Sequence, residues 1–394
     1  MYIGLTSRII HYSLCIKKMT FSDIIGHDDT RQTLIRAVQT NHLAHALLFD
    51  GQAGSANLVL ALALAQYVNC ENQGETDSCG RCASCQKTEK LVHPDLHLVF
   101  PVANMAGRGK TSEAFLTDWR KFIIGHPYRT LSDWLSAAEA ETKQGNINVE
   151  EARNILQKLS LKAYEGRYKI MLVWLPELMN TPAANALLKV LEEPPAQTLF
   201  LLVTNQPDKL LITILSRTQR VAIRNFTDEE VATHLRQFLN MDETTARRTA
   251  YLANGDLSVA WNLAHVEVNT ADGPTDYAWF AEWMRDCYKQ DLTRLVKHAD
   301  QFDGFSRDRQ KNLLEYSIRL CRDLFLWQQG AAQLLRLPDD ELTFVKNFAK
   351  ILTTAHLERM VTDLNEATYH LERNARAKMV LLDMSLTFTR LIRS

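Results

Sequence analysis

Residues 46–68 read ALLFDGQAGSANLVLALALAQYV, and their pattern decides the fold class. Ala46, Leu47, Leu48 and Phe49 form a short apolar run closed by Asp50-Gly51. Such a run predicts a buried strand entering a glycine loop. Residues 56–68 are good helix formers. Strand, glycine loop and helix in that order open a nucleotide-binding α/β unit. The alanine- and leucine-rich helix falls short of the ~20 residues a bilayer span needs, so it reads as a core helix.

The loop keeps the shape of a phosphate loop and lacks its chemistry. A working loop reads G-x-x-x-x-G-K-[ST], with a Lys for the β and γ phosphates and a hydroxyl for Mg²⁺. Gly51 and Gly54 are present, but Ala56 stands for the last glycine, Asn57 for the lysine and Leu58 for the hydroxyl. The acidic motif that would hold Mg²⁺ and polarise water is also degenerate. The apolar run 170–173 leads into Trp174-Leu175-Pro176, and the first acid is Glu177. Two losses at one site exclude hydrolysis on this reading, because the transition-state charge has no clamp. A second near-match, Gly107-Arg108-Gly109-Lys110-Thr111, has Asn104 where the motif needs Gly and no strong helix after it; it reads as a surface turn.

Outward from the loop, helices are expected at 28–40, 148–161 and 181–192, and strands at 96–100, 170–175, 199–204 and 221–223. Asn148 with Glu151, and Thr227 with Glu230, have capping-box spacing. Alternating strands and helices argue for a parallel sheet covered on both faces. Residues 101–146, with Trp119, Phe122, Tyr128, Trp134 and Leu135, read as an insertion of packed helices. Asn254-Gly255 is a helix stop, and TADGPT at 270–275 is a polar turn. From Tyr277 on there is no strand signal; Leu314, Ile318, Cys321 and Phe325, and Met379, Leu382 and Leu386, fall at helical spacing.

Cys70, Cys79, Cys82 and Cys85 have the spacing C-x8-C-x2-C-x2-C. Four thiolates make a closed tetrahedral Zn²⁺ site, and Gly80 eases the turn between them. An iron–sulfur cluster or free thiols are the alternatives; the spacing matches no ferredoxin run, which favours structural zinc. The other three cysteines are scattered, unlike a secreted disulfide framework, which points to a reducing cytoplasmic compartment. Residues 1–18 hint at a signal peptide, but His11, Tyr12 and Ser13 break the apolar stretch, and a start at Met19 is the simpler expectation. Over 394 residues, 45 Lys and Arg balance 46 Asp and Glu, which excludes gripping DNA by bulk charge.

The motifs together resemble one family. Ala44-His45-Ala46-Leu47-Leu48-Phe49, the glycine loop, four cysteines, His93-Pro94-Asp95, then NTPAANALLKVLEEPP at 180–195 and LITILSRT at 211–218, resemble the bacterial clamp-loader subunits of DNA polymerase III. The likeness runs in order over about residues 20–265, and the sixteen-residue central stretch is its specific part. Thr218 replaces the Cys of the family's Ser-Arg-Cys motif.

That resemblance implies an AAA+ P-loop NTPase-like parallel sheet with an inserted zinc module, a small helical lid and an all-α C-terminal collar. The expected bounds are 19–225 for the sheet domain, with the zinc module near 70–85, then 226–269 for the lid and 276–394 for an oligomerising collar. It implies a member that holds no ATP in cis and offers Arg217 in trans to a neighbour's ATP site. A guanidinium there stabilises charge on the γ-phosphate oxygens; from spacing alone Arg217 equally caps or salt-bridges a helix end. Thr204-Asn205 stands at the family's sensor position, and Ser258-Val259 stand where a nucleotide-touching arginine is absent. The implied partners are gamma/tau and delta subunits, with the sliding clamp and primed DNA met through the assembly. Rival readings are a gamma/tau-type ATPase, the clamp-opening delta subunit and a zinc-containing DNA-binding module.

Overall fold

The computed structural model describes residues 19–393, apart from 106, 141–142, 270–275, 306, 336, 338 and 374. Expectations for residues 1–18 and 270–275 lie outside the described residues. Two compact units divide the chain, one ending at Ala264 and one beginning at His265.

In the first unit, β1 (Ala46–Asp50), β2 (Leu96–Val99), β3 (Lys169–Trp174), β4 (Thr198–Thr204) and β5 (Gln219–Ala222) form one sheet. The order is β2-β3-β4-β1-β5, and every pairing is parallel. Successive side chains point to opposite faces, and both faces are buried. Leu47, Phe49, Ile170, Leu172, Trp174, Leu201 and Val203 face α1 (Asp28–Gln39) and α2 (Asn57–Val68). Leu48, Met171, Val173, Phe200 and Leu202 pack on Ile155, Leu159, Leu187 and Leu191. Those last four belong to α4 (Val149–Ser160) and α5 (Thr181–Glu192); α3 (Ala83–Glu89) lies in the cysteine excursion. Every residue of α2 is buried, as its composition predicts.

Two of the departures from the sequence reading concern α4 and β3. Asn148 caps α4 by accepting from the backbone of Glu150 and Glu151, but Glu151 does not complete a capping box. Its buried carboxylate accepts instead from the backbone N–H and hydroxyl of Ser112. β3 begins at Lys169 rather than Ile170; the Lys169 ammonium turns back to the Lys158 and Leu161 carbonyls at the end of α4.

Within 101–146 a two-residue antiparallel ribbon joins Val102–Ala103 to Gly145–Asn146, with helices at Leu116–Gly125 and Leu131–Ala137 between. Trp119 stacks on Phe100 at 4.2 Å, stands at right angles to Trp134 at 5.0 Å, and meets Trp174 at 4.8 Å. Trp134 Nε1–H donates to the Pro101 carbonyl at 2.8 Å, which satisfies its buried polar atom. This segment's core is therefore continuous with the sheet.

Three helices follow the sheet: α6 (Asp228–Leu239), α7 (Glu243–Ala253) and α8 (Leu257–Asn269). Thr227 and Glu230 form the expected capping box, and α7 stops at Asn254 and Gly255, both at positive φ. His27 meets Phe226 edge-on at 5.0 Å, and His234 meets Tyr128 at 5.4 Å. Burial pulls His27 down to about 4 and His234 down to about 3. A depressed histidine pKa favours the fold above the unfolded value near 6.5 and loses that contribution as pH falls toward the folded value. Thermal melts between pH 7.5 and pH 5 are therefore expected to fall more steeply for the wild type than for His234→Phe; equal slopes refute the assignment.

The described residues of the second unit hold helices and no strand, from Asp276–Lys289 through Ala377–Leu391. Trp283 Nε1–H donates to Ser385 Oγ at 2.8 Å in its core. On the last helix the buried face carries Leu381, Met384, Ser385 and Phe388, whereas Met379 is 63% exposed and Leu386 is 40% exposed. No described helix is long and apolar enough to cross a membrane.

Candidate functional site

The glycine loop lies between β1 and α2, and its glycines are needed for close approach. Gly54 has φ +72°, and a Cβ there would lie 1.8 Å from Asp256 Oδ1. Asp256 opens α8 by accepting from the backbone of Ser258 and Val259, while Leu257 N–H donates to the Gly54 carbonyl at 3.1 Å. Burial, with Asp133's charge added, raises the Asp256 pKa against the pull of those two N–H groups. The Asp256 carboxyl group thus stands against Gly54 of the loop.

Asn57 does not project from the loop. Its buried amide donates to the Gly51 and Thr204 carbonyls at 3.1 and 3.2 Å and to Asn205 Oδ1 at 2.9 Å, and its own Oδ1 accepts from Leu58 N–H. Glu177 faces the same point. Its carboxylate accepts from the Thr204 hydroxyl at 2.8 Å and the Asn205 backbone at 2.9 Å. Asn57, Thr204, Asn205 and Glu177 therefore close on one another, while Trp174 and Leu175 are buried in the core. Gly107, Arg108, Gly109 and Lys110 are exposed, and Arg108 pairs with Asp118 at 2.6 Å, as a surface turn should.

Arg217 follows the short helix Ile212–Leu215 and sits beside the end of α5. Its Nε–H and Nη2–H donate to Glu192 Oε2 at 3.1 and 2.8 Å, and Nη1–H donates to the Thr213 carbonyl at 3.0 Å. Sequence reading missed two of these residues. The sequence assigns Asp256 no role, and Glu192 is one more residue of the stretch at 180–195; the groups they meet, Gly54 and Arg217, are distant along the chain.

Cys70, Cys79, Cys82 and Cys85 converge, with all four sulfurs within 4.8 Å of one another. A tetrahedron of Zn–S bonds near 2.3 Å has edges of about 3.8 Å, and Cys79 Sγ to Cys85 Sγ is 4.0 Å. Backbone N–H groups of Cys79, Cys82 and Cys85 donate to the sulfurs of Cys70, Cys79 and Cys82. Burial opposes ionisation of Cys79, but N–H donors from Arg81 and Cys82 prevail and bring its thiol to about 6. Gly80 has φ +62°, and Cys82 caps α3. The group can hold a metal ion, and its donor set fits a thiophilic one.

The excursion is tied to the sheet by His93-Pro94-Asp95 and its surroundings. Burial acts to raise the Asp95 pKa, yet the backbone N–H groups of Glu165, Gly166 and Tyr164 prevail and hold it below the usual range. Lys87 of α3 pairs with Glu165 at 2.7 Å.

A family model described as DNA polymerase III, delta subunit matches residues 26–227. The chain belongs to this family. It is 28% identical to the DNA polymerase III subunit delta' of Yersinia pestis over 334 residues, 83% of each chain. It is 26% identical to that of Escherichia coli K12 over 336 residues, 84% of each. The tau subunit of Salmonella typhimurium is 27% identical over 262 residues, 65% of this chain but 34% of tau. This member of the family thus spans about a third of the Salmonella tau subunit's length and most of the two delta' subunits', and it is of the delta' type. A DNA polymerase III gamma subunit-related protein of Thermotoga maritima overlays 93% of the chain at 17% identity and a TM-score of 0.42.

Proposed function

We propose that this chain is the non-hydrolysing delta'-type subunit of the DNA polymerase III clamp loader. It binds no ATP in cis and gives Arg217 in trans to a neighbouring ATPase subunit. Its partners are gamma/tau and delta subunits, and through the assembly it meets the sliding clamp and primed DNA. Four thiolates in a reducing cytoplasm hold one structural Zn²⁺.

Asn57 is the observation that carries this reading. The two hydrogens of its amide are shared among three acceptors of the protein itself, the Gly51 and Thr204 carbonyls and Asn205 Oδ1. Where an ammonium would meet phosphate there is a neutral group already bonded, and Asp256 adds a carboxylate against Gly54. The isolated chain is therefore expected to show neither saturable binding nor turnover of Mg·ATP up to about 1 mM, the upper end of ordinary enzyme KM values. Equilibrium dialysis and a phosphate-release assay check this. Stoichiometric binding, or turnover that Asn57→Ala abolishes, overturns it in favour of a gamma/tau-type ATPase.

A further inference from the structure

We propose that Glu192 is a positioning residue: it sheathes Arg217 and releases it when a neighbour's ATP arrives. The proposal rests on the trans role of Arg217 given above. All three guanidinium nitrogens are engaged inside this chain, two of them on Glu192 Oε2 and the third on the Thr213 carbonyl and, at 3.4 Å, Ser216 Oγ. An arginine so held is turned to its own subunit. To reach a phosphate it must leave Glu192.

The exchange is chemically favourable in one direction only when nucleotide is present. Glu192 offers one carboxylate charge, whereas a terminal phosphate offers more charge and three acceptor oxygens to the same planar donor fork. The side chains of Glu192 and Arg217 are 59% and 29% exposed, so water weakens their pairing. That weakness suits a sheath, since a strong pair would trap the arginine. Glu192 itself stays in place. It ends α5, whose first turn is capped by Asn180 Oδ1 accepting from Ala183 N–H at 2.9 Å. The turn before α5 carries Glu177, bonded to Thr204 and Asn205 at the C-terminal end of β4. That closed network thus anchors one end of a twelve-residue helix, and the other end presents the partner of Arg217. When the phosphate leaves, the carboxylate is where the arginine left it.

The test uses the reconstituted clamp loader carrying Glu192→Gln, Arg217→Ala or both, with steady-state ATP hydrolysis measured against ATP concentration. Glu192→Gln keeps the shape and removes the charge. It is expected to lower the apparent KM for ATP about two- to five-fold, the range an exposed ion pair supports, with kcat unchanged. The double variant is expected to match Arg217→Ala, because a sheath has no effect without its arginine. An unmoved KM in Glu192→Gln, while Arg217→Ala loses turnover, overturns the sheath and leaves the trans role standing. A KM shift that persists in the double variant also overturns it, as an effect of Glu192 on the fold. Unchanged turnover in Arg217→Ala overturns the trans role and the sheath with it.

Discussion

Arg217→Ala in the reconstituted complex is expected to silence hydrolysis at the ATP site the arginine faces, by about 10³-fold or more in single turnover. The magnitude follows from where the charge develops. In phosphoryl transfer the negative charge spreads over the equatorial oxygens of the transferring group, and a guanidinium supplied from outside neutralises it as it forms. Steady-state hydrolysis by the whole complex falls by the share which that one site carries, and clamp loading slows. Assembly itself is expected to be normal, because within the chain Arg217 contacts only Glu192 and its own helix turn among the bonds described. Arg217→Lys does not restore the rate, since a single ammonium cannot present the planar fork. Unchanged single-turnover hydrolysis refutes the role.

The losses at the nucleotide loop were legible as residue types: Asn57 for a lysine, Leu58 for a hydroxyl and Trp174 for an acid. What fills the place was not. Asn57 bonds to Thr204, 147 positions away, and Trp174 meets Trp119 of the segment at 101–146. Such partners are set by the closed sheet, and no local pattern encodes them. Trp174 lies buried in the core against the tilted ring of Trp119, where a charge would be costly to bury.

Strand ends were misread where charge type hides burial. Lys169 starts β3 because its ammonium reaches two carbonyls at the end of α4, which a hydropathy pattern cannot show. β5 begins at Gln219, before the apolar residues, because it is an edge strand whose Arg220 pairs with Asp50 of β1. By contrast the helix stops were accurate. Pro194 after α5 and Asn254-Gly255 after α7 act through backbone sterics, which are local. On the last helix, spacing alone picked Met379, Leu382 and Leu386, yet the chain buries the face of Leu381, Met384 and Phe388. Periodicity reports an apolar face without saying which partner covers it.

Purified chain is expected to carry one zinc, and Cys85→Ser to lose it and unfold the excursion around residues 70–89. Cys85 is the most deeply buried of the four, 1% exposed, so a serine there has no route to compensating water. The scale is large because binding and local folding are one event. Structural zinc contributes about 10–16 kcal/mol of apparent binding free energy in small peptides, as much as the whole stability of many domains. Without the ion, four sulfurs within 4.8 Å must protonate or repel, and burial already raises the thiols of Cys70 and Cys85. The consequence spreads along the bonds that tie the excursion down. Asp77 accepts from the backbone of Phe21 and Ser22, Ser78 Oγ accepts from Gln66 of α2, and Lys87 holds Glu165 beside β3. The melting temperature of the first unit therefore falls as well, while its sheet, whose core lies in separate clusters, still folds. Elemental analysis, limited proteolysis across 70–89 and melting curves with and without chelator check this together. A zinc-free chain that resists protease and melts as before contradicts the staple.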